Sequence, residues 1–323
     1  MNNWWIISIA LLIEIILYSL FIKIFKKQKL GQSIRKEGPK THFNKKGTPT
    51  MGGLIFGILI IIGYLLSLIF IGESIKTYHT LVIIVALLSY GLLGFIDDYL
   101  IVIKHSNDGI SPTIKFIVQV IIAGIIFFIL LSNNHSTVIN IFGIKFDFIF
   151  VYGLFIMIFL TGTTNAVNLT DGLDGLASGT IITILIGTSI YAYYVNNINI
   201  VILSVVSIIF IIGFMFYNIH PAKIFMGNTG SMILGALTAI IFIILKIEFL
   251  LLIMGSALVI ETLSDIIQVL YFKITKGRRV FKMAPLHHHF ELSGYSEWQI
   301  DLIFWMFSLV MSLIGVIIGV RLF

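Results

Sequence analysis

A chain whose apolar runs repeatedly match the thickness of a bilayer has few folds open to it. Ten segments, at about 4–25, 51–72, 79–97, 114–132, 148–167, 177–195, 199–217, 231–246, 249–272 and 300–321, are mainly apolar. Roughly 17–25 such residues carry an α-helix across the hydrocarbon core. No water is present there to satisfy backbone N–H and C=O groups, so each run has to close its own hydrogen bonds as a helix. The expectation is an all-α, polytopic integral membrane protein of about ten transmembrane helices, one transmembrane domain over residues 1–323. Charged residues make up 11% of the 323 against 58% hydrophobic, which excludes an ordinary soluble domain. Trp4 and Trp5 open the first run and no A-x-A-like site follows it, so it is expected to remain as a spanning helix. The absence of Cys removes disulfides and thiolate metal sites.

Basic residues orient such a chain, because Lys and Arg are retained on the cytosolic side. Nine lie between Lys23 and Lys46, five between Lys273 and Lys282, and Lys104, Lys115 and Lys223 bring the odd-numbered loops to 17 of 21. Odd loops are therefore expected to be cytosolic and both termini extracytosolic. The net charge of +6 is read as this orientation signal, or as attraction to anionic lipid or an anionic substrate; no nucleic-acid partner is expected.

Five polar clusters then fall on the cytosolic side: GTPTMGG (47–53), IDDY (96–99), NAVNLTDGLDG (165–175), FYNIHPAKIFMGNTGS (216–231) and FKMAPLHHHFEL (281–292). An aspartate at the bilayer centre costs about 2.5–3.5 kcal/mol, so the adjacent Asp97 and Asp98 need a compensating partner. With Asp171 and Asp174 they offer hard oxygen ligands, and no Cys or spaced His and Cys set favours zinc. Magnesium takes one or two carboxylates and completes its octahedron with water and substrate phosphate oxygens. The other reading of DGLDG is a helix cap with solvated acids.

His287, His288 and His289 cannot all point one way in any regular structure. One or two can donate to phosphate oxygens, the alternatives being an adventitious metal site or solvated loop residues. Arg279 and Lys282 beside them would help to neutralise a polyanion. Pro221, Gly227 and Gly230 mark a tight turn, and Asn218 offers an amide there or caps a helix. Among the external loops, 133–147 alternates around Asn140 to Gly143 as a small hairpin would. The whole favours an enzyme that handles a nucleotide-activated group and a lipid acceptor at the inner membrane surface. A transporter is the rival from another class; transporters place such acids near the midplane, whereas here they stand at helix ends on one face.

GQSIRKEGPKTHFNKKGTPTMGG, FIDDY, NAVNLTDGLDG, FMGNTGS and APLHHHFEL resemble the bacterial phospho-N-acetylmuramoyl-pentapeptide transferases. That family lies within the polyprenyl-phosphate N-acetylhexosamine-1-phosphate transferase superfamily, and the similarity runs over about residues 30–300. The acidic motifs point only to the superfamily; PLHHHFEL and GTPTMGG narrow it. The resemblance implies transfer of phospho-MurNAc-pentapeptide from UDP-MurNAc-pentapeptide to undecaprenyl phosphate, giving lipid I and UMP, with Mg2+. It also implies a homodimer in the bacterial cytoplasmic membrane with a cytosolic active site. The related activity to weigh against it is GlcNAc-1-phosphate transfer from UDP-GlcNAc.

Carried over by position, the resemblance makes Asp97 and Asp98 the essential acidic pair, with Asp171 and His288 beside them in the catalytic set. Asp97 or Asp98 would act as a base on the lipid phosphate or as a nucleophile. Direct attack by the lipid phosphate is favoured, because a phosphate monoester with a second pKa of about 6 is largely ionised at neutral pH. Asn168 and Asp171 would line the magnesium and diphosphate region, and Leu173, Asp174 and Phe225 the uridine pocket, with Phe225 stacked on uracil and Lys45 contributing. Lys115, Asn165 and Asn218 count with the substrate-binding residues, and His287 and His289 with the diphosphate or amino-sugar side. The implied metal ligands are Asp97, Asp98, Asp171 and position 228. There the chain departs from the family's FMGDTGS, since Asn228 stands where the metal-binding aspartate is expected. Asp265, four residues after Glu261, stands where an apolar residue is expected.

Overall fold

The computed structural model of the protein describes residues 4–27, 45, 47–104, 109–141 and 143–322. Most of the basic first loop, including Lys29, Arg35, Lys36, Lys40 and Lys46, lies outside the described residues, as does Phe142. Among those described, the helices are α1 (Trp4–Lys27), α2 (Gly53–Ile71), α3 (Tyr78–Lys104), α4 (Pro112–Ser132), α5 (Ile149–Thr170), α6 (Leu176–Tyr194), α7 (Ile198–Asn218), α8 (Gly227–Leu245), α9 (Leu251–Met254), α10 (Ser256–Ile274), α11 (Leu286–Glu291) and α12 (Glu297–Leu322). Eight are long and apolar enough to cross a membrane, or nine if the bent pair Glu248–Met254 and Ser256–Ile274 forms one span. α1, 24 residues long, occupies the place of the first expected span.

α8 is the axis of the bundle. It is apolar on every side, and each residue from Thr229 to Leu245 is buried, as a helix without a polar face requires. α3 and α5 flank it, with α2 and α6 completing the ring around it. Lipid tails are as apolar as Leu, so helices in a membrane are held by close packing through small residues. Gly94 of α3 shows this: a β-carbon there would overlap the carbonyl of Asn228.

The structure differs from the sequence expectation in two places that shape the site. The third span was expected to end at Asp97, but the apolar Tyr99–Ile103 carries α3 on to Lys104. Asp97 and Asp98 therefore sit inside a helix, about 100° apart around its axis. The ninth span was expected as one helix over 249–272. It breaks at Gly255, and α10 leaves at 84°. The expected hairpin is present as β1 (Val138–Ile141) paired antiparallel with β2 (Ile144–Asp147).

Candidate active site

Asp97 and Asp98 are both buried, and their 100° separation sends them to different partners. Asp97 turns towards α4, where its carboxylate accepts from Lys115 Nζ at 2.8 Å and from the Ile110 backbone N–H at 2.6 Å. Asp98 turns towards the first turn of α8. It accepts the N–H groups of Asn228 and Thr229, each at 2.9 Å, and the Thr229 hydroxyl at 2.6 Å. These are the unpaired donors of a helix N-terminus, where the macrodipole also favours an anion. The cost of placing two acids in an apolar run is thus offset by one cation and one helix end.

Asn228 joins the two acids to α5. Its Oδ1 accepts from Asn168 Nδ2 at 2.7 Å and from Lys115 Nζ at 3.3 Å. Asn165, one turn earlier, donates to Gln119 Oε1 at 3.0 Å and to the Thr161 carbonyl at 2.8 Å, fastening α5 to α4. Asp171 follows α5 directly as its C-terminal cap. Among the described residues its carboxylate has no hydrogen-bond donor. Burial, with the charges of Asp98 and Asp174 close by, holds it well above the usual carboxylate range.

A second polar knot lies on the other side of the DGLDG turn. Lys45 Nζ bridges Asp174 Oδ1 at 2.8 Å and Glu297 Oε2 at 2.6 Å. His220 Nδ1 lies 3.1 Å from Asp174 and 3.3 Å from Glu297. Burial works against the charge on Lys45, but the two carboxylates outweigh it and raise its pKa. Asn218 is buried; it accepts from the Gly175 N–H at 3.1 Å and donates to the Ile224 carbonyl at 3.0 Å, fixing the α7–α8 turn beside this knot. Phe225, in the same turn, is bound through its backbone to Pro49 and Gly52. The Leu173 side chain packs with Leu176, Ala257, Ile300 and Phe304.

The three imidazoles separate as their spacing requires. His287 is fully buried against Glu261 at 2.7 Å. His288 lies 2.7 Å from Glu291, and His289 Nδ1 accepts the Lys282 N–H at 3.1 Å. Glu261, Glu297 and His220 were not singled out from the sequence as site residues. Glu261 carries the same signal as Asp97 and Asp98, a charge inside an apolar run.

Among the described residues, one set draws candidate cation ligands close together. Asp174, His220 and Glu297 bring ligand atoms within 4.8 Å of one another, but Lys45 already bridges the two carboxylates there. Asp97, Asp98 and Asp171 also carry hard oxygens, but they are not drawn together to that distance as a set: Asp97 faces Lys115 and Asp98 the α8 N-terminus, while half-buried Asp171 adds a negative charge near Asp98 that a divalent cation would offset.

Known proteins resemble this chain over nearly its whole length. The model for glycosyl transferase family 4 matches residues 80–246, and signature 1 of the phospho-N-acetylmuramoyl-pentapeptide-transferases matches residues 45–56. The phospho-N-acetylmuramoyl-pentapeptide-transferase of Staphylococcus epidermidis strain ATCC 12228 is 46% identical over 322 residues, covering 97% of this chain and 98% of that protein. Those of Staphylococcus aureus strain JH9 and Staphylococcus carnosus strain TM300 are 45% and 44% identical, each over 97% of this chain and 98% of the relative.

Proposed function

We propose that this chain, which belongs to the phospho-N-acetylmuramoyl-pentapeptide-transferase family, moves phospho-MurNAc-pentapeptide from its UDP ester to undecaprenyl phosphate, forming lipid I and releasing UMP. The observation that carries the reading is the gathering of Asp97, Asp98, Asp171, Asn168, Asn228 and Lys115 at one end of the bundle. An oxygen of the lipid phosphate attacks the sugar-linked phosphorus of the nucleotide. The bond from that phosphorus to the oxygen bridging the two phosphates breaks, and its electron pair leaves with UMP. Phosphoryl transfer leaves the protein little covalent chemistry, so positioning and charge neutralisation have to supply most of the rate.

Asp97 and Asp98 are already committed to Lys115 and the α8 N-terminus, an arrangement that supports direct attack by the lipid phosphate over a protein nucleophile. Mg2+, when bound, would neutralise the diphosphate and activate it as a Lewis acid; Asp171, with Asp97 and Asp98, would hold it. Lys115 would neutralise the incoming phosphate, while Lys45, Asp174 and Phe225 would receive the uridine. The outer face of α10 exposes Leu263, Ile266, Ile267 and Leu270, an aliphatic surface suited to the polyprenyl chain. The enzyme acts as a homodimer in the bacterial cytoplasmic membrane, with this end of the bundle cytosolic, in keeping with the 17 of 21 basic residues at odd loops.

UMP release in membrane vesicles tests the reading. UDP-MurNAc-pentapeptide should be turned over and UDP-GlcNAc should not, with magnesium required. Inside-out vesicles should react and sealed right-side-out vesicles should not. Turnover of UDP-GlcNAc alone would move the chain to a related sugar-phosphate transferase.

Asn228→Asp is expected to lower the magnesium concentration for half-maximal rate about tenfold, equivalent to about 1.4 kcal/mol in metal affinity. The added charge would lie among Lys115, Asn168 and the α8 N-terminus, where an anion is favoured. If Asp265 of α10 already supplies the missing charge, Asp265→Val should abolish transfer in the Asn228 protein and be tolerated beside Asn228→Asp. An unchanged magnesium titration would remove position 228 from metal control.

A further inference from the structure

Glu261 is a carboxylate shut away from water inside the bundle, on α10, and the transfer reaction as described gives it no task. It accepts the backbone N–H of His287 at 3.1 Å with one oxygen and contacts His287 Nδ1 at 2.7 Å with the other. An ionised carboxylate has only lone pairs to offer, so Nδ1 carries the proton and both the plane and the tautomer of the ring are set. The opposite nitrogen, Nε2, is buried without a hydrogen-bond partner among the described residues. It faces Gly172: a β-carbon at that position would overlap the Nε2 edge of the imidazole. Gly172 is the residue after Asp171, so the edge of His287 is the surface on which the Asp171–Gly175 turn rests.

We propose that Glu261 is a positioning residue of the transfer site. By clamping His287 through two hydrogen bonds it fixes the imidazole edge under Gly172, and with it the place of the Asp171 carboxylate. The inference rests on the reading of Asp171 as a ligand of the metal and diphosphate. It gives His287 a different task from its neighbours, since His287 acts on the turn from within while His288 and His289 remain half-buried. The lever is short, and a displacement of about 1 Å in a positioned group can cost on the order of 10²-fold in rate.

The full-length protein in detergent or nanodiscs provides the test, with Mn2+ as the metal probe. Glu261→Gln keeps the volume but turns an amide N–H towards one of the two His287 donors. Gly172→Ala presses on the same contact from the other side. Each is expected to lower kcat about 100-fold, to leave KM for the nucleotide within about threefold, and to weaken Mn2+ binding about tenfold.

A double-mutant cycle then isolates the route. In the His287→Ala protein, Glu261→Gln should change neither kcat nor Mn2+ affinity further, and Gly172→Ala should be tolerated. Additive losses, or Glu261→Gln with unaltered kcat and Mn2+ affinity, would overturn the proposal. If His287→Ala does not fold, Gly172→Ala and Glu261→Gln decide alone, and a normal Mn2+ affinity in either counts against it. Mn2+ affinity is read without turnover, so absence of UMP release by the parent protein would defeat the reaction assignment and leave this inference separately judged.

Discussion

Asp171→Asn is expected to lower transfer by about 10³-fold or more and, in metal-free buffer, to raise the melting temperature. The two effects have one cause. The Asp171 carboxylate is half-buried at the end of α5, near the charges of Asp98 and Asp174, with no hydrogen-bond donor among the described residues. Its charge is a burden on the fold that a proton or a bound cation relieves.

The sign of the pH dependence follows. A carboxyl whose folded pKa is raised contributes stability that is fully present below the ordinary carboxylate range and is lost as pH rises through the raised value. Metal-free parent protein should therefore lose melting temperature as pH rises above the ordinary carboxylate range, and Asp171→Asn should flatten that slope. Magnesium stabilises by mass action, and more strongly where no proton competes for the carboxylate. The increment it gives the parent should thus grow with pH and be nearly absent in the variant. Melting curves with EDTA or magnesium, read beside UMP release, check all of this. A variant that loses activity and melting temperature together would make Asp171 a structural cap.

The membrane class and the gathering of motifs at one end were legible because both depend on local chemistry: apolar length for the first, charge in an apolar run for the second. Asp97 and Asp98 stood out for that reason. Their division of labour did not, because it depends on α3 continuing past Asp98 and on where the α8 N-terminus comes to rest. Glu297 was hidden differently, as was its pairing with Lys45, a residue that the family resemblance alone had singled out. A Glu in the first turn of a helix and a Lys in a basic loop are ordinary, and only the packing of α12 beside the DGLDG turn makes them a pair. The break at Gly255 also escaped the apolar pattern, since both halves of the ninth run are apolar and glycine alone does not fix a bend. His287 shows the same limit from another side. In sequence it is one of three equivalent imidazoles, and burial against Glu261 is what distinguishes it.

Asp98→Asn should lose both transfer and stability, in contrast to Asp171→Asn. Asp98 accepts three donors from Asn228 and Thr229 at the head of α8, the most deeply buried helix of the bundle. An amide has one oxygen to offer where the carboxylate has two, and its NH2 group would face donors. Charge-assisted bonds of this kind contribute about 1.5–3 kcal/mol each, and an N-cap about 0.5–2 kcal/mol, so a loss of about 2 kcal/mol in stability is expected. That loss cannot itself explain a large fall in rate while the melting point stays above the assay temperature, because nearly all molecules remain folded. A 10³-fold fall corresponds to about 4 kcal/mol in the barrier. Rate and melting temperature measured on one preparation therefore separate the roles. A lower melting temperature with transfer within about threefold of the parent would make Asp98 only the anchor of α8. A fall of about 10³-fold in the folded protein would place the α8 N-terminus, and the Asn228 it carries, within the geometry of the reaction itself.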